Sequence, residues 1–190
     1  MGMPADVCRV DNLKPSGYTN KSENAGGGAM FLQGKKIPAG CGHKEGRQLL
    51  SEMYRQYVGD PMPPIALTER GKPYFTEGSW QFSISHSKGH VFCALSQKPI
   101  GIDAEEWDRQ INLGLADKIL SPMEREQFEK AEDKRIALLN FWVLKEAAAK
   151  CSGEGLRGYP SQTEFMLPDP RVRQLEGCLV AVIEEDDHVI

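Results

Sequence analysis

Several things are missing from this 190-residue chain, and each absence removes a class of function. No run approaches the roughly 18 consecutive apolar residues that a membrane span needs. The opening segment, MGMPADVCRV, has no basic stretch followed by an apolar one, so no secretory signal is read. Asp6 stands where a myristoylation pattern would carry Ser or Thr. The five cysteines, at positions 8, 41, 93, 151 and 178, are odd in number and show no CxxC spacing. That pattern argues against a disulfide framework and a zinc site, and for a reducing cytosol. There is no P-loop, no GxGxxG, no GxSxG and no HExxH. No compact basic run is present to track nucleic-acid phosphates. The expectation is a cytoplasmic protein, monomeric, with neither nucleic acid nor membrane as partner.

What is present describes an ordinary globular chain, with 40% hydrophobic and 26% charged residues. Its length suffices for one large domain or two small lobes. The net charge of −4 is unevenly spread. Residues 1–97 hold 11 Lys and Arg against 8 Asp and Glu, and residues 98–190 hold 12 against 19. A basic half beside an acidic half suits a small anionic ligand bridged by a metal better than a duplex.

Residues 1–42 read as irregular, with NAGGGA and IPAGCG of loop composition and only Met30 to Leu32 able to start a strand. Leu49, Leu50, Met53 and Tyr57 then mark an amphipathic helix over residues 43–58, stopped by Gly59 and PMPP. Residues 65–67 form a short strand, and Glu69 to Pro73 a turn. Residues 80–85 and 91–96 alternate as a hairpin, and residues 99–103 give a third strand with an acidic end. A helical region covers residues 113–130, broken at Ser121-Pro122. Residues 133–151 contain no Gly or Pro and form the central helix, with Ile136, Leu139, Val143 and Ala147 as its apolar stripe. Residues 163–167 and 178–184 supply closing strands. Helix-then-strands in each half predicts an α+β fold of two similar α/β lobes, residues 1–97 and 98–190, with no sequence repeat between them.

The chemistry concentrates at a few positions. In IGIDAE, strand periodicity puts Asp103 and Glu105 on one side and Ala104 on the other. Two carboxylates so placed repel unless a cation or protons lie between them, and Mg²⁺ takes such oxygen ligands; a solvated acidic turn would look the same. In FSISH, His86 continues the parity of Phe82 and Ile84, with the Ser85 hydroxyl beside it. It reads either as a satisfied core histidine or as a group facing an anion. Glu146 projects from the edge of the central helix's stripe and Lys150 follows one turn later, which suits a surface ion pair or a site. Lys72 and Arg47 taken alone are solvated cations. His43, His90 and His188 have no spacing partner that suggests a metal or a triad.

The order of these segments is more specific than any one of them. GKP at 71–73, SHS at 85–87, Gly101, Asp103 and Glu105 as GxDxE, and Trp142, Lys145, Glu146, Ala147 and Lys150 as WxxKEAxxK resemble the 4'-phosphopantetheinyl transferase superfamily, surfactin-synthetase-activating type. HKEGRQLL at 43–50 resembles that family's N-terminal helix, and the likeness runs over about residues 43–167. It implies two pseudo-twofold lobes with the ligand cleft between them. It implies Mg²⁺ held by Asp103, Glu105 and Glu146, with Glu146 also a candidate base. Lys72, Pro73, Ser85, His86 and Lys150 would contact coenzyme A, and Arg47 its 3'-phosphate end. Glu146, Lys150 and His86 are then the catalytic candidates. Residues 1–42 lack the Arg/Lys-rich helix of larger members, and the tail after Leu167 is short.

The implied reaction moves phosphopantetheine from coenzyme A to a serine of an acyl or peptidyl carrier protein, leaving 3',5'-ADP. A Mg²⁺-dependent phosphohydrolase using the same carboxylates, and a coenzyme A-binding module without chemistry, are the competing readings.

Overall fold

The computed structural model describes residues 18–23, 29–59, 61–155 and 163–185. Strands β1 (Tyr18–Glu23), β2 (Ala29–Lys36), β5 (Gln81–His86) and β6 (His90–Ser96) form an antiparallel sheet in the order β1-β2-β6-β5. Helix α1 (Gly42–Tyr57) covers one face of it. Its Leu49, Leu50, Met53 and Tyr54 pack with Phe31, Phe82, Val91, Cys93 and Leu95 into one core, the i, i+1, i+4, i+5 positions of the amphipathic stripe. A short ribbon of β3 (Ile65–Leu67) and β4 (Pro73–Phe75) flanks this half.

The second half is built on β7 (Ile100–Glu106), β9 (Cys178–Glu184) and β8 (Val172–Leu175), antiparallel in the order β7-β9-β8. Between β7 and β8 come a 3-10 turn at Leu113–Leu115, α2 (Ala116–Ile119), α3 (Pro122–Lys130) and α4 (Lys134–Ser152). Ser121 and Glu124 close a capping box that starts α3 at Pro122, which explains the break read from the sequence. Asp133 caps α4 at its N-terminus, and Gly153, at φ 75°, ends it in the left-handed conformation that glycine adopts without penalty. Leu138, Leu139, Phe141, Val143, Leu144 and Ala147 of α4 are fully buried against β9 and Phe128.

Helix α4 packs along β7, and at Gly101 the two backbones meet. A Cβ placed on Gly101 would lie 1.9 Å from the Ala147 carbonyl oxygen, so only glycine permits this approach. The glycine of GxDxE and the alanine of KEA thus meet backbone to backbone, which brings Asp103 and Glu105 beside Glu146 and Lys150.

Strands β5 and β7 lie side by side although they belong to different sheets. At the seam the Ile102 N–H donates to Ser83 Oγ and the Ala104 N–H donates to Ser85 Oγ, both at 3.1 Å. Both serines are buried. A third core, with Leu32, Phe92 and Ala94 from one half and Ile102, Ala104 and Val180 from the other, closes the same seam.

The structure departs from the sequence reading in several places. Residues 1–42 are not wholly irregular: β1 and β2 lie there, because β6 offers β2 a full antiparallel register from Met30 to Lys36. The strand read over residues 99–103 runs from Ile100 to Glu106 and pairs with β9. Residues 163–167 form no strand, since the Thr163 carbonyl and Phe165 N–H bond to the side chains of Lys145 and Glu124 instead. Cys93, Cys151 and Cys178 form no disulfide, whereas Cys41 is disulfide-bonded, a single bridge rather than a framework. Among the described residues no helix is long and apolar enough to cross a membrane.

Candidate active site

Four of the expected residues converge where α4 crosses β7 at the seam. Lys150 Nζ donates to Asp103 Oδ1 at 2.6 Å and to Ser85 Oγ at 3.2 Å, and Ser85 Oγ donates to the same Asp103 oxygen at 2.9 Å. Asp103 is 5% exposed, and its Oδ2 is buried with no hydrogen-bond partner. An orphaned carboxylate oxygen in the interior is costly, and a bound cation would satisfy it.

Glu146 lies within electrostatic reach of this group. Its burial, and then the Asp103 carboxylate, push its pKa above the ordinary value, while Lys150 and Arg109 pull it back. Glu105 points to the same side of β7, as strand periodicity requires. It bonds Arg109 and accepts a hydrogen bond from Trp142 Nε1 at 3.2 Å. Three carboxylates therefore face two cations, an acidic excess, but Asp103, Glu105 and Glu146 are not among the described residues whose ligand atoms gather within 4.8 Å of one another. The surface pair of Glu146 with Lys150 is not how Lys150 is used: it reaches across to β7.

His86 ends β5 over the start of α1. A Cβ on Gly42 would meet its imidazole at 2.5 Å, so the helix begins with a glycine under the ring. His86 is exposed rather than a core residue, and it stands edge-on to His43 at 4.8 Å. Lost hydration, then His43 and Lys150, hold its pKa below the usual imidazole value, which favours the neutral ring near pH 7.

Lys72 is not the solvated turn residue it resembles in the sequence. Its Nζ donates to the Cys151 carbonyl at 2.5 Å, capping the last turn of α4, and burial lowers its pKa against Cys151 and Glu185. Lys72, Pro73, Ile84, Ala149 and Lys150 line one cleft of about 260 Å³. Arg47 is exposed on α1, and it is not among the residues lining that cleft.

Lys145, a position of the sequence motif, is fully buried. It pairs with Glu124 at 2.8 Å and donates to the Thr163 carbonyl. Glu124 in turn accepts from the Ser121 and Phe165 N–H groups. This network fixes α3 and residues 163–165 against α4, so Lys145 is a framework residue one step from Glu146. Sequence reasoning gave no role to Ser83, Glu106 or Glu124. Glu124 meets Ser121 at capping-box spacing, but its bond to the Phe165 N–H, that of Ser83 to the Ile102 N–H and that of Glu106 to Cys178 span 19 to 72 residues that spacing rules do not connect.

The sequence that builds this site matches a known family. Residues 99–182, which carry Asp103, Glu105, Glu146 and Lys150, match the 4'-phosphopantetheinyl transferase superfamily, so the likeness read from the sequence is shown. The chain is 34% identical over 115 residues to the 4'-phosphopantetheinyl transferase psf-1 of Bacillus pumilus, covering 58% of this chain and 47% of that protein. It is 32% identical over 126 residues to a 4'-phosphopantetheinyl transferase of Bacillus subtilis (60% and 56%), and 32% over 113 residues to the transferase Sfp of Bacillus subtilis strain 168 (58% and 49%). The chain spans about half the length of the curated relatives it matches.

Proposed function

We propose that this chain transfers 4'-phosphopantetheine from coenzyme A to a serine of an acyl or peptidyl carrier protein, with Mg²⁺, releasing 3',5'-ADP. The observation that carries the reading is Asp103, a buried carboxylate with Ser85 and Lys150 on one oxygen, none on the other, and Glu146 close by. Bound by Asp103, Glu105 and Glu146, Mg²⁺ would neutralise charge on the pyrophosphate.

The chain's own residues account for the rest. Lys72, Pro73 and Lys150 receive the coenzyme A phosphates in the cleft, with Ser85 and His86 contacting the same ligand. Arg47 takes the 3'-phosphate end. The carrier serine attacks the phosphorus bearing the pantetheine arm, and its proton passes to Glu146, directly or through water. The raised pKa of Glu146 makes it a better acceptor than an exposed carboxylate. Lys150 and His86 face the negative charge that develops on the phosphoryl oxygens, and the bond to the nucleotide phosphate breaks to release 3',5'-ADP.

In this reading residues 1–97 and 98–190 are the two lobes of a pseudo-twofold transferase fold. The serine seam lies between them, and a cytoplasmic monomer does the work. The test is incubation with Mg²⁺, fluorescent coenzyme A and a panel of apo carrier proteins. Covalent labelling of a carrier, abolished by chelator, is expected. Failure to label any carrier, or phosphopantetheine release without one, rejects it.

A further inference from the structure

The face of β7 opposite Asp103 and Glu105 carries a second cluster. Glu106 ends β7, and its register partner Cys178 begins β9. His90 begins β6. Suitable donor atoms of these three residues all lie within 4.8 Å of one another. His90 Nδ1 stands 3.0 Å from Glu106 Oε1, and Cys178 Sγ stands 3.4 Å from Glu106 Oε2. Ser87 Oγ donates to Oε1 at 2.7 Å and lies 3.9 Å from the sulfur, and the Gly89 N–H donates to Oε1 at 3.1 Å.

We propose that His90, Glu106 and Cys178 form a site for one borderline-soft divalent cation, Zn²⁺ by donor chemistry, that fastens the β5–β6 turn to β7 and β9. A nitrogen, a sulfur and a carboxylate oxygen are the donor set of zinc sites, and magnesium and calcium do not take it. Tetrahedral ligation leaves a fourth position for water. All three donors sit at ends of paired strands, so the site is held by the sheets rather than by a loop.

Hydrogen bonds already hold these donor atoms together, which preorganises them for a cation. Glu106 Oε1 already accepts from Ser87, Gly89 and His90, so a sulfur adds only a weak bond at the second oxygen. His90 Nε2 is buried without a partner, leaving the ring free to change tautomer when Nδ1 ligates. Ligation requires the Cys178 thiol to release its proton to solvent. Thiolate and carboxylate then balance the dication.

The experiment titrates the intact, chelator-stripped chain with Co²⁺ under argon. One equivalent should produce thiolate-to-cobalt charge-transfer absorption in the near ultraviolet together with tetrahedral visible bands, both displaced by Zn²⁺. Cys178→Ser should lose the charge-transfer band, and His90→Ala should weaken Co²⁺ binding at least about tenfold. Asp103→Ala should leave the charge-transfer band unchanged, which separates this site from the carboxylates on the other face. Absence of the band in the unaltered chain, or its survival in Cys178→Ser, overturns the proposal. Should Cys178→Ser fail to fold, Glu106→Gln decides, because Gln keeps the acceptor for Ser87 and Gly89. Undiminished Co²⁺ affinity in that variant overturns the site.

Discussion

Lys150 Nζ lies 2.6 Å from Asp103 Oδ1, while the other oxygen of the same carboxylate is buried and unpartnered. The ion pair occupies one side of Asp103 and leaves the other directed at the site. Asp103→Asn keeps an oxygen for Ser85 and loses the charge. Transfer should fall at least about 10²-fold. Stability of the metal-free chain should change by less than about 1 kcal/mol, because Lys150 is partly exposed and such pairs contribute little. Labelling rate and thermal unfolding measure the two separately, and normal transfer removes Asp103 from the site.

Glu146 provides a pH test. Its pKa is raised in the folded chain, by burial first and then by Asp103, so folding favours the protonated form. The folded state is therefore progressively destabilised as pH rises from the unfolded carboxylate value through the folded one. Glu146→Gln should raise the melting temperature of metal-free protein at pH 7–8, with the gain vanishing below about pH 4. Transfer by the same variant should drop at least about 10²-fold. Wild-type turnover would make α4 purely structural.

Glu106 runs in the opposite direction. Its pKa of about 2 reflects hydrogen bonds from His90, Ser87, Gly89 and Cys178 that overcome burial. Their contribution is present above the unfolded pKa of 4.5 and is lost as pH falls toward 2. Acid unfolding followed by circular dichroism should be shallower over that window in Glu106→Gln than in the parent. Coincident curves would mean that the carboxylate is not ionised more readily in the fold.

Lys145→Ala should destabilise by about 3–5 kcal/mol, since it leaves the Glu124 carboxylate buried with only the backbone N–H groups of Ser121 and Phe165. Denaturant unfolding measures this. A loss of less than 1 kcal/mol would show that water reaches Glu124.

Arg47 and Lys72 separate by the same pair of ligands. Arg47→Ala should leave stability within about 0.5 kcal/mol, as befits an exposed helix position. It should erase any preference for coenzyme A over its dephospho form. Lys72→Ala should weaken both ligands by about 1–3 kcal/mol and also loosen the end of α4, where it caps Cys151. An undiminished preference in Arg47→Ala would place the 3'-phosphate elsewhere.

Local patterns made much of this fold legible. The central helix read over 133–151 is Lys134–Ser152, the strand read over 178–184 is Cys178–Glu184, and Ser121-Pro122 breaks the helices as expected. Strand β2 was hidden because its register comes from β6, some 60 residues away. Residues 163–167 looked β-rich but spend their backbone groups on Lys145 and Glu124. At the site, strand parity foretold the shared side of Asp103 and Glu105. It could not foretell that Lys72 caps a helix or that His90 meets Glu106 and Cys178, since those contacts arise only when the two sheets are set side by side.

The joint between β5 and β7 rests on two serine hydroxyls rather than on a ladder. A hydroxyl turns about a single torsion and can follow its donor as the donor shifts. Neighbouring strands in a ladder keep their bonds only in one register and at one spacing. At this joint β5 and β7 can therefore shift by small amounts without breaking the serine bonds. Ser85 belongs at once to this joint and to the Asp103–Lys150 group. A ligand wedged between the sheets is felt directly at the carboxylates, and amide exchange at Ile102 and Ala104 would register its arrival.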